Sequence, residues 1–408
     1  MTASIPTNPS AGRRWLLLLL AVIVLVKVFH FAIAFRALHA GVDDPHFATG
    51  QPLVAWDSVH YLEIMNHGYP DRVGDDFPET IGFFPLLPLL TRPLAAFMDG
   101  PAAMLIVCNV ASIAGVLFFF HWCRRTVGPC KAFLACMLLL SYPPAMFFSA
   151  AYTEPLFCAT TAAALYFADC RRPWLAALAA GLGSATRPTG VAVSFVIWVE
   201  SIVRTAPRDR LRSAGKFIAL GLLSASGIIG YATYLTYRYG TPMAYIRAQQ
   251  HFVPAAANAS AAPPAAAIAA NAATVATVAG SPATEEAAPQ GIAAKIKSKL
   301  RSIGAWGTLL AYLTFGLSVL ILIPRLPWPR HILLIPLLIF LVGFLPNHGA
   351  RINSCSRFMT CALPLFAALV MLPWIRNRSC WLFAILFALG FMVQAMFVGG
   401  FTRGIWAG

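Results

Sequence analysis

Residues 15–35 read WLLLLLAVIVLVKVFHFAIAF, an apolar run that directly follows Arg13-Arg14. A helix needs about 20 mostly apolar residues to cross the hydrocarbon core of a membrane, so this run predicts a transmembrane helix. The basic pair, the run and the alanines near Ala37 and Ala40 also resemble a secretory signal peptide. However, the apolar part of such a peptide is shorter, about 7–15 residues. We therefore expect a retained first span.

The composition of the whole chain agrees with a membrane protein. Hydrophobic residues make up 59% of the 408 residues and charged residues only 11%, whereas soluble domains carry about 25% charged residues. The net charge of +15 does not indicate a nucleic-acid partner, because the basic residues come in short clusters between apolar runs. The sequence predicts an all-α polytopic membrane protein whose partners include membrane lipids.

Further apolar runs of spanning or near-spanning length predict the other helices. They are Met104–Trp122, Ala132–Ser149, Leu156–Ala168, Phe217–Tyr237, Trp306–Ile323, His331–Leu345, Phe358–Trp374 and Trp381–Gly400. The stretch Trp174–Val203 is interrupted at Arg187-Pro188. Since a proline disfavours helix at the residue before it, this stretch predicts two short helices. Together the runs predict a bundle of about eleven spans.

Basic residues between the runs predict the orientation. With the N-terminus inside, the cytoplasmic loops contain Arg13 and Arg14; Arg124, Arg125 and Lys131; Arg171 and Arg172; Arg204, Arg208, Arg210, Arg212 and Lys216; Arg325 and Arg330; Arg376 and Arg378. This alternation follows the positive-inside rule. Nearly all acids near the predicted membrane then lie on the opposite face. We predict a multi-pass membrane protein with its N-terminus inside and its chemistry on the extracytoplasmic side.

The chain is predicted to form a single integral-membrane domain, residues 1–408, with two long extracytoplasmic loops. The first, residues 38–101, includes Phe77 to Phe97, where prolines argue against a spanning helix and favour an interfacial or re-entrant segment. The second contains an alanine-rich low-complexity insertion at residues 254–291. Its composition favours a segment without a packed core, and an additional alanine-rich helix is the alternative.

The first loop carries the cluster Trp56-Asp57-Ser58-Val59-His60-Tyr61-Leu62-Glu63. Ionisable residues beside a membrane are costly and mark candidate functional sites. A short helix is predicted at Ala55–His67, and its spacing puts Asp57 and His60 on one face. Asp57 could instead only cap this helix. Asp57 and Glu63 could also share a divalent cation, Mg or Mn; no other cofactor is predicted.

Two further charged residues lie at predicted helix breaks on the same face. Glu154 follows Tyr152-Thr153 and precedes Pro155, where an acid is also common simply because it is in the first turn of a helix. Arg187 lies between two short apolar helices, on the side where the topology rule does not call for arginine. An uncompensated guanidinium is costly there. We expect it to pair with Glu154 or to bind a ligand phosphate.

Arg351 and Arg357, with His348, flank the last extracytoplasmic loop. Guanidinium groups bind phosphate in a planar, bidentate geometry, so Arg351, Arg357 and Arg187 predict an anion site at the membrane surface. A carboxylate beside such a site could deprotonate an alcohol while a phosphate group leaves. A phosphate at headgroup level that carries a lipid tail fits this arrangement.

Short motifs follow one another along most of the chain. They are Trp56-Asp57, His60-Tyr61, His67-Gly68-Tyr69, Phe83-Phe84-Pro85-Leu86-Leu87-Pro88, Tyr142-Pro143-Pro144-Ala145, Tyr152-Thr153-Glu154-Pro155-Leu156-Phe157, Thr186-Arg187-Pro188-Thr189-Gly190 and Arg357-Phe358 leading to Pro364. In this order they resemble the PIG-V family, the second mannosyltransferase of GPI-anchor synthesis, and its bacterial relatives in the GT-C superfamily. The alanine-rich insertion departs from the family pattern.

The resemblance implies a GT-C-like bundle with a helical first extracytoplasmic loop, and a mannosyltransferase-like glycosyltransferase. Such an enzyme takes a hexose from a polyprenyl-phosphate donor and transfers it, with inversion, to a hydroxyl group of a glycan, glycolipid or other acceptor. An aspartate of the first outer loop is the general base, which here is Asp57. The predicted substrate-binding residues are Trp56, His60, Glu63, Tyr152, Glu154, Arg187, Arg351 and Arg357.

A transporter or flippase of a lipid-linked or anionic substrate is the alternative. Lys27 and His30 lie inside the first predicted span, where they would suit such a protein. Transporters place ionisable residues near the bilayer midplane and often contain inverted repeats. Here the acids gather at one surface and no internal repeat is visible, so the enzyme is the favoured hypothesis.

Overall fold

The computed structural model of the protein describes residues 9–41, 49–72, 77–248, 332, 334–344, 357–371 and 380–404, and the structural statements below concern these residues. The insertion at residues 254–291, His348 and the predicted site residue Arg351 lie outside them. The regular structure of the described residues consists of α-helices and short 3-10 turns, without a strand. The predicted all-α class is confirmed.

The bounds of several helices follow from proline and glycine. In chain order the helices are α1 (Pro9–His39), α2 (Asp57–His67), α3 (Leu86–Ala95), α4 (Gly100–Val127), α5 (Pro129–Ser141), α6 (Glu154–Asp169), α7 (Pro173–Ser184), α8 (Gly190–Val203), α9 (Ala214–Ser224), α10 (Ser226–Tyr239), α11 (Ala244–Ala248), α12 (Leu334–Phe344), α13 (Leu363–Leu369) and α14 (Cys380–Thr402). Helices α4 to α7 each have a proline in the first turn, where its missing N–H leaves no bond unmade.

Three helices of the described residues, α1, α4 and α14, are long and apolar enough to cross a membrane. Helices α9 and α10 pass the same test only together, as one span bent by 63°. The protein is therefore an integral membrane protein. The predicted number of about eleven spans stays a prediction, because the described helices include several apolar segments that are shorter than a span.

Within the described residues, three predicted spans differ from the structure. The predicted span Phe217–Tyr237 is broken at Ala225 into α9 and α10, and within Phe358–Trp374 the helix α13 covers only Leu363–Leu369.

The third difference lies after α5. The sequence predicts a helix over Ala132–Ser149, whereas α5 ends at Ser141 and a 3-10 turn follows at Pro143–Phe148. Pro143 and Pro144 have no N–H group and cannot continue the α-helical hydrogen-bond ladder. The chain then runs through the interior as buried, non-α-helical backbone until α6 begins at Glu154.

The predicted break in Trp174–Val203 is confirmed, because α7 ends at Ser184 and α8 begins at Gly190. The two helices approach closely at this turn. A Cβ atom added at Gly190 would lie 2.5 Å from the carbonyl oxygen of Gly183 and 2.6 Å from Cα of Ser184. Glycine at this position therefore allows the turn that carries Arg187 to fold tightly, as small residues do between membrane helices.

We expect Gly190→Ala to destabilise the protein by about 1–3 kcal/mol, because its methyl group would meet backbone atoms that cannot move aside. Thermal unfolding of the detergent-solubilised protein measures the effect. Gly230→Ala, in the interior of α10, is the matched control, since a Cβ atom there meets nothing within 4 Å. It should leave the protein unchanged or slightly more stable, by up to about 1 kcal/mol. Equal melting temperatures for the two variants would contradict this account of the turn.

The main core lies where α4 and α6 cross. A Cβ atom at Gly115 of α4 would lie 2.9 Å from the backbone nitrogen of Ala159 in α6, so the two backbones are in close contact. Large apolar side chains surround this contact, among them the fully buried Phe119 and Phe157. The close packing fixes the start of α6, where Glu154 lies.

The first loop lies against α10 at one end of the bundle. The helix predicted at Ala55–His67 is present as α2, with the bounds Asp57–His67. The segment predicted to be interfacial contains a 3-10 turn and the short helix α3. Hydroxyl groups of two tyrosines hold this loop in place, since Tyr69 donates to the carbonyl oxygen of Phe83 and Tyr231 to that of Ile81, each at 2.7 Å.

Candidate active site

The backbone around Asp57 is held in a strained conformation. Trp56, the residue before α2, has φ +56°, a left-handed value that is unfavourable for a bulky side chain. Hydrogen bonds to the segment before α6 maintain it. The N–H of Asp57 donates to the hydroxyl oxygen of Tyr152 at 3.1 Å, and the hydroxyl of Ser58 donates to the carbonyl oxygen of Ala151 at 2.9 Å. The start of α2 is thereby fixed against Tyr152.

The carboxylate of Asp57 forms an ion pair with Arg357. Its Oδ2 atom lies 2.8 Å from Nη1 of the guanidinium, and Trp56 rather than Asp57 is the N-cap residue of α2. The alternative that Asp57 only caps its helix is therefore wrong. The Asp57 side chain keeps 25% of its surface exposed, whereas that of Arg357 keeps 9%. The carboxylate thus lies on the open side of the pair.

Glu154 is fully buried and joins the two arginines. Its Oε1 atom lies 2.7 Å from Nη2 of Arg187 and 3.1 Å from Nε of Arg357. A buried carboxylate is stable only when cations or donors compensate its charge. The expected pairing of Arg187 with Glu154 is confirmed. Asp57, Arg357, Glu154 and Arg187 together form a charge-balanced row, which we call the ion-pair chain.

Aromatic rings flank both guanidinium groups. The guanidinium carbon of Arg357 lies 5.2 Å from the ring centroid of Tyr152 and 5.4 Å from that of Phe147. The guanidinium carbon of Arg187 lies 5.1 Å from the ring of Phe358. Cation–π contacts at these distances are favourable. The rings therefore fix the orientation of both arginines before any ligand binds.

Thr153 and Tyr61 lie at the Arg187 end of the ion-pair chain. Nη2 of Arg187 donates to the hydroxyl oxygen of Thr153 at 3.0 Å, and Tyr61 of α2 is buried near this pair. Burial raises the pKa of Tyr61 well above its ordinary value. Burial alone would lower the pKa of Arg357, but the nearby carboxylates of Asp57 and Glu154 outweigh it and raise that pKa. Both groups therefore stay protonated at neutral pH.

Thr153 was absent from the residues that the sequence predicts for the site. Its only signal is its position beside Glu154 in the motif Tyr152-Thr153-Glu154. A hydroxyl group is not costly at the edge of a membrane, so the argument from charge does not select it.

Some buried hydrogen-bond donors and acceptors of the site have no partner in the described part of the chain. Nε and Nη1 of Arg187 and Oε2 of Glu154 are buried and have no hydrogen-bond partner among the described residues. Buried polar atoms without partners are rare in folded proteins. The N–H groups on these two nitrogen atoms of Arg187 are suited to an anionic ligand.

The remaining predicted residues take other positions. The ring of His60 stacks on Phe83 with centroids 4.5 Å apart, and Glu63 is exposed on α2. Within the described ranges no group of three or more His, Cys, Asp or Glu side chains could hold a metal ion. The carboxylate of Asp57 is bound to Arg357, so the arrangement does not favour a cation shared with Glu63.

Comparison with known proteins assigns the chain to a family. The sequence profile described as Mannosyltransferase (PIG-V) matches residues 16–248, more than half of the chain. The protein belongs to the PIG-V family. The matched region contains Asp57, Glu154 and Arg187. Arg357 lies beyond it, so the contact with Asp57 in the structure is what connects Arg357 to the PIG-V motifs.

Curated relatives of this PIG-V protein are named GPI mannosyltransferases. It is 27% identical over 206 residues to GPI alpha-1,6-mannosyltransferase 2 of Cricetulus griseus, a match that covers 46% of this chain and 40% of that protein. The match to the enzyme of that name from Homo sapiens is 28% identical over 160 residues, covering 35% of this chain and 30% of that protein. The PIG-V protein thus aligns with less than half the length of these relatives.

Solved structures agree with a GT-C fold for this PIG-V protein. The Archaeoglobus fulgidus oligosaccharyltransferase in the apo form matches 96% of this chain with 56% of its own, at a TM-score of 0.50 and 13% identity. Its complex with Zn and sulfate matches 95% of this chain with 53% of its own, at a TM-score of 0.51 and 12% identity. At this identity the likeness concerns the fold alone.

Proposed function

We propose that this PIG-V protein is a glycosyltransferase that moves a hexose, mannose by its family, from a polyprenyl-phosphate donor to an acceptor hydroxyl group. The observation that carries the proposal is the ion-pair chain, with its partly exposed carboxylate beside two buried, fixed guanidinium groups. An acid that takes a proton and cations that receive a phosphate are the two parts that such a transfer requires.

The two arginines are assigned to the donor phosphate. Oε1 of Glu154 lies 3.1 Å from Nε of Arg357 and 2.7 Å from Nη2 of Arg187. Aromatic rings flank both guanidinium groups. Because their positions are fixed in advance, they stabilise the leaving phosphate without reorganising during the reaction. The site lies at one end of an apolar bundle, so a phosphate at the headgroup level can reach it while its polyprenyl tail stays in the membrane.

Asp57 is assigned as the general base. Its carboxylate accepts the proton of the acceptor hydroxyl, and the acceptor oxygen forms a bond to C1 of the hexose. The bond between C1 and the phosphate oxygen breaks, and polyprenyl phosphate leaves with that electron pair. Attack from the face opposite the phosphate inverts the anomeric centre. The acceptor is a hydroxyl group of a glycan, glycolipid or other molecule.

The pairing of Asp57 with Arg357 implies an exchange of partners when the donor binds. A carboxylate oxygen that lies 2.8 Å from a guanidinium nitrogen is already engaged and is not available to an acceptor hydroxyl group. The donor phosphate carries more negative charge and takes the place of Asp57 on Arg357, while Glu154 keeps the arginine in position. The carboxylate is then free to act as the base, so the donor binds before proton transfer.

The face of the membrane follows from charge. The opposite end of the bundle carries Arg125 and Arg204, which pair with Asp169, and further basic loop residues lie near it in the sequence. By the positive-inside rule that end is cytoplasmic. The ion-pair chain then faces the extracytoplasmic side of the membrane. The membrane proposed for this protein is a bacterial inner membrane.

Transfer is tested with purified protein in liposomes made from lipids of its own membrane, which supply the acceptors. Radiolabelled polyprenyl-phosphate mannose is added to one side. We expect the label to leave the polyprenyl carrier and to appear in a new product identified by mass spectrometry. Label that crosses the vesicle membrane while still attached to its carrier would establish the transporter alternative and overturn the proposal.

A further inference from the structure

A buried stretch of irregular backbone leads into the active site. From Pro144 to Glu154 the chain is buried, and between Ser141 and Glu154 it contains no α-helix. Carbonyl groups that lack a helical partner must find donors inside a membrane protein, because no water is available in the hydrocarbon region. We call residues 142–153 the irregular segment. Besides backbone hydrogen bonds within the segment and to Leu53, side chains of four other helices, α1, α2, α4 and α14, donate to it.

Gln394 of α14 binds the start of the irregular segment. Its Nε2 atom donates to the carbonyl oxygens of Leu140 and Tyr142, each at 2.8 Å. A Cβ atom at Gly390, one turn earlier on α14, would collide with the carbonyl oxygen of Ser141. Glycine at that position therefore lets α14 come close enough for the amide to reach both carbonyls.

His30 of α1 connects Gln394 to the middle of the irregular segment. Its Nε2 atom lies 2.7 Å from Oε1 of Gln394, and its Nδ1 atom lies 2.8 Å from the hydroxyl oxygen of Ser149. Oε1 can only accept, so Nε2 carries the proton. A neutral ring then accepts at Nδ1 from the Ser149 hydroxyl. Each polar atom of this fully buried pair has a partner.

Lys27 and Asn109 bind the carbonyl groups of Phe148 and Ser149, respectively. The ammonium of Lys27 donates to the carbonyl oxygen of Phe148 and, at 2.7 Å, to the hydroxyl of Ser112. The amide of Asn109 donates to the carbonyl oxygen of Ser149 at 3.2 Å. The two ionisable side chains inside the first span, Lys27 and His30, thus each have hydrogen-bond partners inside the protein.

The end of the irregular segment carries Tyr152 and Thr153 of the site, and Glu154 follows directly as the first residue of α6. Tyr152 binds the N–H of Asp57, Thr153 binds Arg187, and Glu154 joins both arginines. We infer that Lys27, His30, Asn109 and Gln394, which we call the polar belt, are positioning residues: they hold the irregular segment in the register that places Tyr152, Thr153 and Glu154. The catalytic consequence rests on the proposed function, whereas the positioning itself does not.

Native cysteines report on this positioning. The thiol of Cys108 donates to the carbonyl oxygen of Tyr152 at 3.2 Å, and that of Cys361 to the carbonyl oxygen of Glu154 at 3.6 Å. Both cysteines are fully buried, as are Cys123 and Cys136 in the main core. Reaction with N-ethylmaleimide, followed peptide by peptide with mass spectrometry, compares the first two thiols with the second two in one sample.

Gln394→Leu removes the amide and fills a similar volume. We expect Cys108 and Cys361 to react at least about tenfold faster in this variant. The hydrogen bonds from Gln394 to the carbonyl oxygens of Leu140 and Tyr142 and its bond with His30 are lost, so local opening of the irregular segment becomes easier. Cys123 and Cys136 should react at the wild-type rate. Equal acceleration of all four thiols would indicate general loosening, and acceleration of none would indicate that Gln394 does not hold the segment; either result overturns the inference.

Met396→Leu is the matched control on the same helix, since Met396 is 73% exposed to the surroundings of the bundle. It should leave all four labelling rates and the turnover of polyprenyl-phosphate mannose unchanged. Gln394→Leu should lower kcat in protein that stays folded by size-exclusion chromatography. Selective labelling with a wild-type kcat would overturn the positioning role. A wild-type protein that transfers no sugar would instead defeat the proposed function and leave the labelling result intact.

Discussion

Asp57→Asn is expected to abolish sugar transfer and, at the same time, to strengthen the binding of polyprenyl phosphate. Asparagine keeps the shape of the side chain but cannot accept the acceptor proton. A positioned general base contributes about 10²–10⁴ to a rate, so we expect kcat to fall by about 10³ while the variant is produced at the wild-type level. Initial rates with radiolabelled polyprenyl-phosphate mannose measure the loss.

The gain in binding follows from the ion pair with Arg357. In the wild-type protein a phosphate must displace the carboxylate that lies 2.8 Å from this guanidinium; in the variant the competing charge is absent. A partly exposed ion pair contributes up to about 1 kcal/mol, which corresponds to binding that is about 2–5-fold tighter. Titration of polyprenyl phosphate into the purified proteins by calorimetry measures the difference.

Asp99→Asn separates this local effect from the loss of a charge in general. Asp99 is exposed at the start of α4, where its carboxylate accepts from the N–H of Ala102 at 3.4 Å, and it is outside the ion-pair chain. The variant should bind polyprenyl phosphate as the wild-type protein does. A normal turnover of Asp57→Asn would remove Asp57 from the role of base. An unchanged affinity would show that donor and carboxylate do not compete for Arg357.

The sequence predicts the charged members of the site but not how they pair. Asp57, Glu154, Arg187 and Arg357 stand out because each charge is costly where the topology places it. Arg357 lies 300 residues after Asp57, and no spacing rule connects positions so far apart. Glu154 can pair with both arginines only because α6, α7 and α13 bring the three residues together. Only the fold supplies that information.

The irregular segment shows a second limit of sequence reasoning. Hydropathy alone extends the predicted span to Ser149, because it counts apolar side chains and takes no account of the N–H groups that Pro143 and Pro144 lack. From the sequence, Lys27 and His30 suit a transport pathway, because the hydropathy pattern does not identify the hydrogen-bond partners of a polar side chain. In the structure their partners are Phe148 and Ser149 of this segment.

Glu154→Gln is expected to have the largest effect on stability. Glutamine has nearly the same shape as Glu154 but no charge, so Arg187 and Arg357 would remain buried with only the carboxylate of Asp57 beside them. Removal of one partner from a buried ion pair costs about 3–5 kcal/mol. We expect a large fall in the melting temperature of the detergent-solubilised protein and a lower yield. Polyprenyl phosphate, as a replacement anion, should recover part of the loss.

Asp169→Asn is the matched control at the other end of the bundle. Asp169 pairs with Arg125, whose side chain is 45% exposed, and exposed pairs contribute about 0–1 kcal/mol. Its melting temperature should stay close to that of the wild-type protein. The double variant Glu154→Gln, Arg187→Met identifies the cause, because it removes a stranded cation as well as the carboxylate. It should be more stable than Glu154→Gln alone. If it is less stable, the cost comes from lost packing around α6 rather than from uncompensated charge, and the ion-pair chain is not what holds the site together.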